Sequence, residues 1–378
     1  MSQQLNIYLD NNATTLLNER VLKVMLPYFT DSYANASSSH LAGLTINEAV
    51  ENAAWQTADL IGATPEEIIF TSGATESINL AVKGLVNQSK KHIVTVRTEH
   101  RAALDTCQYM ESIGFKVTYL PVDSEGILDI DLLNESITDE TLMVIVMMVN
   151  NEIGVIQDIQ AIAEIVHAKN AYFMCDATQA IGKIAVDVEK LGIDLLALSA
   201  HKFYGPKGIG ALYLSAKAKI KLAPQLHGGG QQRKLRSGTL NVPAIIGLGK
   251  ACEIAKAEME TDHKRIKTLR NRLEKSLLEI EGSFVNGNIE NRLYNTSNIC
   301  FPGVNSESLI LALQHISVSN GSSCSAVTSE PSHVLKALGL SDENALSSIR
   351  FSLGKFTTEE EILLTIDRVS DLVRQLRL

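Results

Sequence analysis

Asp176-Ala-Thr-Gln179 and Ser199-Ala-His201-Lys202 each close an apolar run, Ala171-Tyr-Phe-Met-Cys175 before the first and Leu195-Leu-Ala-Leu198 before the second. Short apolar runs that end in polar turns predict buried strands, and two neighbouring strand ends can present their polar residues to one crevice. Taken singly, Lys202 reads as a solvated loop lysine and Asp176 as the cap of a following helix. Together they form a pair suited to pyridoxal 5'-phosphate (PLP). A lysine amine can form a Schiff base with the cofactor, and a carboxylate can keep the pyridine nitrogen protonated so that the ring accepts electrons.

Outward from this pair, the chain alternates two periodicities. Helix-like stretches run from Ile46 to 61, 76 to 86, 102 to 113 and 159 to 168. Strand-like runs cover Ile68 to 71, 92 to 97, 117 to 120 and 143 to 149, and others begin at Tyr172, Leu195 and Ala211. This alternation predicts an α/β fold with a mostly parallel sheet covered on both faces. After about Pro243 the texture changes. A long charged helical region from Ala251 to Ile280 leads into short elements around Ile299, Glu307, Val334 and Ile349. Thr357-Thr-Glu-Glu360 then opens an amphipathic helix that runs to Leu376, with the spacing of a helix cap. The expectation is a large domain over residues 13–250 and a smaller α+β domain from 251 to 378.

Composition narrows the class of protein. A chain of 378 residues, 45% hydrophobic, is long enough for two domains and a large core. Its net charge of −9 argues against a general nucleic-acid surface. The N-terminus is polar, and the longest apolar stretch, Leu142 to Val149, suits a buried strand and is too short for a membrane span. Five cysteines, at 107, 175, 252, 300 and 324, are scattered without a CxxC pair. No disulfide framework or metal site is expected, and a reducing cytoplasm suits such a chain. Cys324 stands apart in Val318-Ser-Asn-Gly-Ser-Ser-Cys-Ser-Ala-Val-Thr-Ser-Glu-Pro331, a small polar run that predicts an exposed, mobile loop. The other four cysteines lie in helix or strand patterns and read as packing residues.

Asp176-Ala-Thr-Gln and Ser199-Ala-His-Lys-Phe-Tyr-Gly-Pro-Lys-Gly-Ile-Gly210 resemble the PLP segment of cysteine desulfurases of the NifS/IscS type, in the class V aminotransferase group. Further motifs keep the family order: Tyr8-Leu-Asp-Asn-Asn-Ala-Thr-Thr15, Phe70-Thr-Ser-Gly-Ala-Thr-Glu76, Thr98-Glu-His100, Val149-Asn-Asn-Glu-Ile-Gly154, His227-Gly-Gly-Gly, Arg236-Ser-Gly-Thr239 and Ser348-Ile-Arg-Phe-Ser352. The resemblance implies an aspartate aminotransferase-like fold with a seven-stranded sheet, and it adds residues 1–12 to the small domain. It assigns Lys202 to the cofactor linkage, Asp176 to the ring nitrogen and Gln179 to the phenolic oxygen. His100 would stack on the ring and move protons. Ala74, Thr75, Ser199 and His201 would hold the phosphate, with Thr239 reaching in from the other subunit of a homodimer. Asn35, Asn151 and Arg350 would form the substrate pocket, although Ala36 follows Asn35 where the family usually has proline. Cys324 matches the sulfur-carrying cysteine of the long-loop members, with Asn320 and Ser323 replacing two small residues of the usual loop.

The implied activity is removal of sulfur from L-cysteine, giving L-alanine and a persulfide on Cys324. The sulfur would pass to acceptor proteins such as an iron–sulfur cluster scaffold, with tRNA thiolation as a second destination. Two alternatives stay open on sequence alone. One is a selenocysteine lyase or related PLP lyase of the same fold; the other is a catalytically idle scaffold for iron–sulfur assembly.

Overall fold

The computed structural model describes residues 6–321 and 330–377. Its centre is a seven-stranded sheet with strands in the spatial order Ile68–Thr71, Gly210–Leu214, Leu195–Ser199, Tyr172–Asp176, Thr141–Met147, His92–Val96 and Lys116–Leu120. Gly210–Leu214 runs antiparallel to both its neighbours, and every other pairing is parallel. Alternate residues of the central strands enter opposite cores. Val94, Val144, Phe173 and Leu196 belong to one, while Ile93, Met143, Met174 and Leu195 belong to the other. Both faces are therefore covered, which is why these strands read as unbroken apolar runs.

The helices follow the predicted pattern with shifted ends. The first long one spans Leu41–Ile61 and starts five residues before the expected Ile46, because the His40 ring accepts from Gly43 N and caps it. Glu359–Leu376 carries the expected reciprocal cap between Thr358 and Glu361. The largest departure is the helix Val242–Leu277, which begins well before Ala251. Gly247 and Gly249 disguise its start. They are required by close packing, since a Cβ on Gly249 would lie 2.8 Å from the Cα of Ala53 in the helix Leu41–Ile61. Residue 250, the expected end of the large domain, thus falls inside a continuous helix.

Beyond that helix lies a three-stranded antiparallel sheet. Thr296–Cys300 is its centre, flanked by Phe284–Val285 and Ser348–Ser352. Near the N-terminus, Ile7–Tyr8 pairs in parallel with Ile316–Ser317. The following residues bridge the two sheets: Asn11 N donates to Ser352 O at 3.1 Å, and Thr15 N donates to His201 O at 2.9 Å. No helix among the described residues is long and apolar enough to cross a membrane.

A buried ion pair fastens the long helix to the small sheet. Arg292 meets Glu274 through two parallel hydrogen bonds of 2.8 and 2.9 Å, and its side chain is only 2% exposed. Deleting one partner of such a pair strands a buried charge. Arg292→Met is expected to lower the unfolding free energy in urea by about 3–5 kcal/mol, and adding Glu274→Leu should recover most of that loss. A loss below about 1 kcal/mol, the worth of an exposed pair, would show that Glu274 rehydrates.

Candidate active site

Parallel strands that share a direction place their C-terminal ends along one edge, and the candidate site lies there, in a cleft of about 940 Å³. Asp176 ends its strand with a buried carboxylate, oriented by Thr178 N donating to Oδ1 at 2.9 Å. The neighbouring strand ends at Ser199, and a single helical turn, Ala200–Lys202, carries the lysine into the cleft. Lys202 Nζ donates to Asn12 O and Ala13 O, each at 2.7 Å. Burial, with the charge of Arg350 adding, pushes the Lys202 amine down to about 8 against the pull of Asp176 and Asp10.

Opposite the lysine, the helix Ala74–Lys83 starts directly after Gly73, whose φ of 151° leaves an open backbone at the helix mouth. Ser72, Ala74, Thr75 and Ser199 line this end of the cleft. Gly210 permits the approach, because a Cβ there would meet the Cα of Gly73 at 2.7 Å. Glu76 organises the turn: it accepts from Ser72 N at 2.7 Å and is held by Arg236 Nε at 2.9 Å. His201 Nδ1 sits 3.1 Å from the Thr14 hydroxyl, and burial beside Lys202, Lys207 and Lys183 lowers its pKa to about 4. The ring is neutral at physiological pH. A helix N-terminus with exposed N–H groups and small side chains suits a phosphate.

His100 caps the helix Arg101–Ser112 by accepting from Ala102 N at Nδ1, 3.1 Å away, so its Nε2 carries the proton of the neutral ring. Solvent reaches the ring through the cleft mouth, yet the surrounding walls, together with Lys202, hold its pKa below the ordinary imidazole value despite Asp176 and Asp105. Gln179 is buried and donates through Nε2 to Asn12 O at 2.8 Å. Arg350 is buried, donating from Nη1 to Asn151 O at 2.9 Å and from Nη2 to Asp10 at 2.6 Å, and its Nε has no hydrogen-bond partner among the described residues. The cleft therefore gathers Ala74, Thr75, His100, Asn151, Asp176, Gln179, Ser199, His201, Lys202 and Arg350.

Two expected residues among those described are not brought into it. The Asn35 side chain turns back on its own loop, accepting from Ser37 N at 2.9 Å. Thr239 is exposed, on the segment that leads into the long helix. Cys324 lies outside the described residues. The other four cysteines are buried, and burial raises every one of those thiols, Cys107 and Cys252 to about 12 and Cys300 to about 11.

The structure adds residues that carried no assignment in the sequence. Asn12 is the hub: its carbonyl serves both Lys202 and Gln179, and its side chain donates to Asn151 O at 3.1 Å and Thr296 Oγ1 at 2.9 Å. The motif Tyr8–Thr15 was its signal. Asp10 partners Arg350, and Glu152, whose carboxyl burial raises to about 7, accepts from Ser332. Lys183 reaches Gln179 from the side away from the cleft.

These residues fit PLP. The open Gly73 mouth, the amine of Lys202, the carboxylate of Asp176 and the unpartnered Nε of Arg350 share one cleft, supplying groups for a phosphate, an aldehyde, a ring nitrogen and a carboxylate. The sequence profile of the class-V aminotransferases matches residues 7–364, and the chain belongs to that family. Within it, the chain is 50% identical to cysteine desulfurase IscS of Methylobacillus flagellatus, over 100% of this chain and 94% of that protein. Its structure matches a solved NifS-like protein with a TM-score of 0.92 and 38% identity, covering 98% of this chain and 100% of that one. SspA, solved in complex with cysteine, matches with a TM-score of 0.82 and 37% identity over 93% and 100% of the two chains. The family resemblance carried by the motifs is thereby confirmed.

Only a neutral amine attacks an aldehyde, so the depressed pKa of Lys202 has a kinetic signature. Uptake of PLP by the apoprotein, followed by growth of the visible band, should accelerate with rising pH around a midpoint of about 8 and level off above it. A rate flat from about pH 7 to 9 would show that the titrating amine is not the one that reacts.

Proposed function

We infer that this protein is a PLP-dependent cysteine desulfurase that converts L-cysteine to L-alanine and carries the released sulfur as a persulfide on Cys324. The observation that carries this reading is the meeting of Lys202, Asp176, His100 and Arg350 in one cleft. SspA, a relative at 37% identity, is described with cysteine bound. Bound PLP supplies an aldehyde and a cationic ring able to draw electron density from the substrate Cα.

The protein's own groups do the rest. Asp176 holds the proton on the ring nitrogen, and Gln179 donates a hydrogen bond to the phenolic oxygen. Ala74, Thr75, Ser199 and His201 hold the phosphate, with Thr239 of a second copy completing it. Arg350 and Asn151 grip the substrate carboxylate, and a planar guanidinium suits that grip. Asn35, whose side chain accepts from Ser37 N on its own loop, is left out of this grip. Lys202, freed as an amine, takes the Cα proton, and His100 moves protons at Nε2. The Cys324 thiolate attacks the substrate sulfur. An S–S bond would form as the Cβ–S bond breaks with its electron pair left on the carbon side, and a proton added at Cβ and one returned to Cα would give alanine. Only a thiolate can do this, and the other four cysteines are buried with raised pKa values.

The enzyme acts as a homodimer in the cytoplasm. Phe29, Tyr33, Leu41 and Trp55 stand exposed near the N-terminus, as surface a second copy can cover. Residues 13–250 form the cofactor domain and the remainder a smaller one that holds the carrier loop, about 318–331. The persulfide passes to acceptor proteins that build iron–sulfur clusters.

Arg350→Ala should leave PLP bound while raising the KM for L-cysteine about 30-fold or more, as expected when one partner of a desolvated charge pair is deleted. An unchanged KM would remove Arg350 from the carboxylate site. The overall reading is tested by mass spectrometry after L-cysteine treatment, alongside alanine release. Wild type should gain one sulfur on Cys324, and Cys324→Ser should bind PLP yet form no persulfide. Normal alanine release by Cys324→Ser, or sulfur on Cys107 or Cys252, would defeat the assignment.

A further inference from the structure

Lys183 is a fully enclosed lysine that the reaction as described does not use. It lies four residues after Gln179, and its Nζ donates to Gln179 Oε1 at 2.8 Å and to Gln179 O at 3.2 Å. Among the described residues it forms no salt bridge. Its other side faces a small pocket shared with Asn11, Asn18, Tyr204, Asp262, Tyr294 and Lys355. Lys202, Arg350 and His201 are the further charged or titratable groups around it. Burial, with Lys202 and Arg350 adding, depresses its amine to about 7. Packing alone would be served better by methionine, which fills the same space without desolvating an amine.

The two ends of a glutamine amide have the same shape, so only hydrogen-bond partners decide which end faces a site. We propose that Lys183 is a positioning residue that holds Gln179 Oε1 and so keeps the Gln179 N–H group turned toward Lys202 and the cleft. The observed geometry is that state: Nε2 of Gln179 donates to the same Asn12 carbonyl that accepts from Lys202. This inference rests on the reading of the cleft as a PLP site. A donor fixed there favours the anionic form of the cofactor's ring oxygen. It also withdraws that oxygen as a partner for a proton on the lysine-bound nitrogen, which then loses its proton at lower pH. Releasing the amide reverses the effect, and the pH midpoint rises.

The test is a spectrophotometric pH titration of the visible band in the PLP-loaded protein. Lys183→Met should raise the midpoint by about 1 pH unit, the size of shift one nearby polar partner produces. Gln179→Met should raise it similarly, and adding Lys183→Met to that variant should move it little further. A shift under about 0.2 units in Lys183→Met, or the full shift repeated in the Gln179→Met background, overturns the proposal, because coupling between the two is then absent. Should Lys183→Met not fold, Lys183→Gln keeps the pocket polar but ends one bond short of Gln179, and it must show the same rise. If neither variant folds by circular dichroism, Lys183 is structural and the proposal fails. A wild type without any visible band overturns the cofactor reading along with this one.

Discussion

The Lys202 amine pairs with no carboxylate among the described residues; the main-chain carbonyls of Asn12 and Ala13 take its hydrogens instead. Carbonyls hold an amine without fixing its charge as firmly as a carboxylate would, so the group stays poised to lose a proton. The arrangement depends on the segment from Asp10 to Thr15 being threaded between the two sheets. Ser352 holds it from one side through its carbonyl and its hydroxyl, and His201 O holds it from the other. Four side chains of the cleft are placed against that segment: Gln179 and Lys202 at the Asn12 carbonyl, Arg350 at the Asp10 carboxylate, His201 at the Thr14 hydroxyl.

The local electrostatics oppose the global ones. The chain carries a net charge of −9, yet Lys202, Lys183 and Arg350 crowd one end of the fold, with the N-terminus of the helix Ala74–Lys83 opposite. Burial lowers the proton affinity of Lys202, Lys183 and His201, and the neighbouring cations lower it further. A site so arranged is completed by anions. Asp10 and Asp176 offset part of that positive charge from within the cleft.

Much of this was legible in the sequence, and the exceptions have physical causes. The buried strands were plain because both faces of a parallel sheet demand apolar residues, and the polar residues that end them had to be site residues. The helix Ile130–Ser136 was missed because seven residues with one buried side chain carry almost no periodicity. The long helix was begun too late because Gly247 and Gly249 look like breakers until a second helix is packed against them. Asn12 holds Lys202 and Gln179 through its carbonyl, which every residue has, so its side chain gave no hint of those two contacts. Asn35 carried a motif resemblance, but within one chain its loop stands away from the cleft. Thr239 was expected to act in a second copy of the chain, a contact that a single sequence does not encode locally.

The helix Val242–Leu277 has a mechanical consequence. Its first turns are locked against Leu41–Ile61, and farther along Arg265 donates to Thr357 O at 2.7 Å, Arg272 pairs with Glu359 and Glu274 clasps Arg292. A rod pinned at both ends cannot act as a hinge. Swinging one half of the molecule away from the other would require breaking the rod's own ladder of hydrogen bonds, or pulling its pins. The two sheets are therefore tied to one rod. The cleft takes Asp176 from one sheet and Arg350 from the other, so the rod that ties the sheets also sets the spacing of the groups between them.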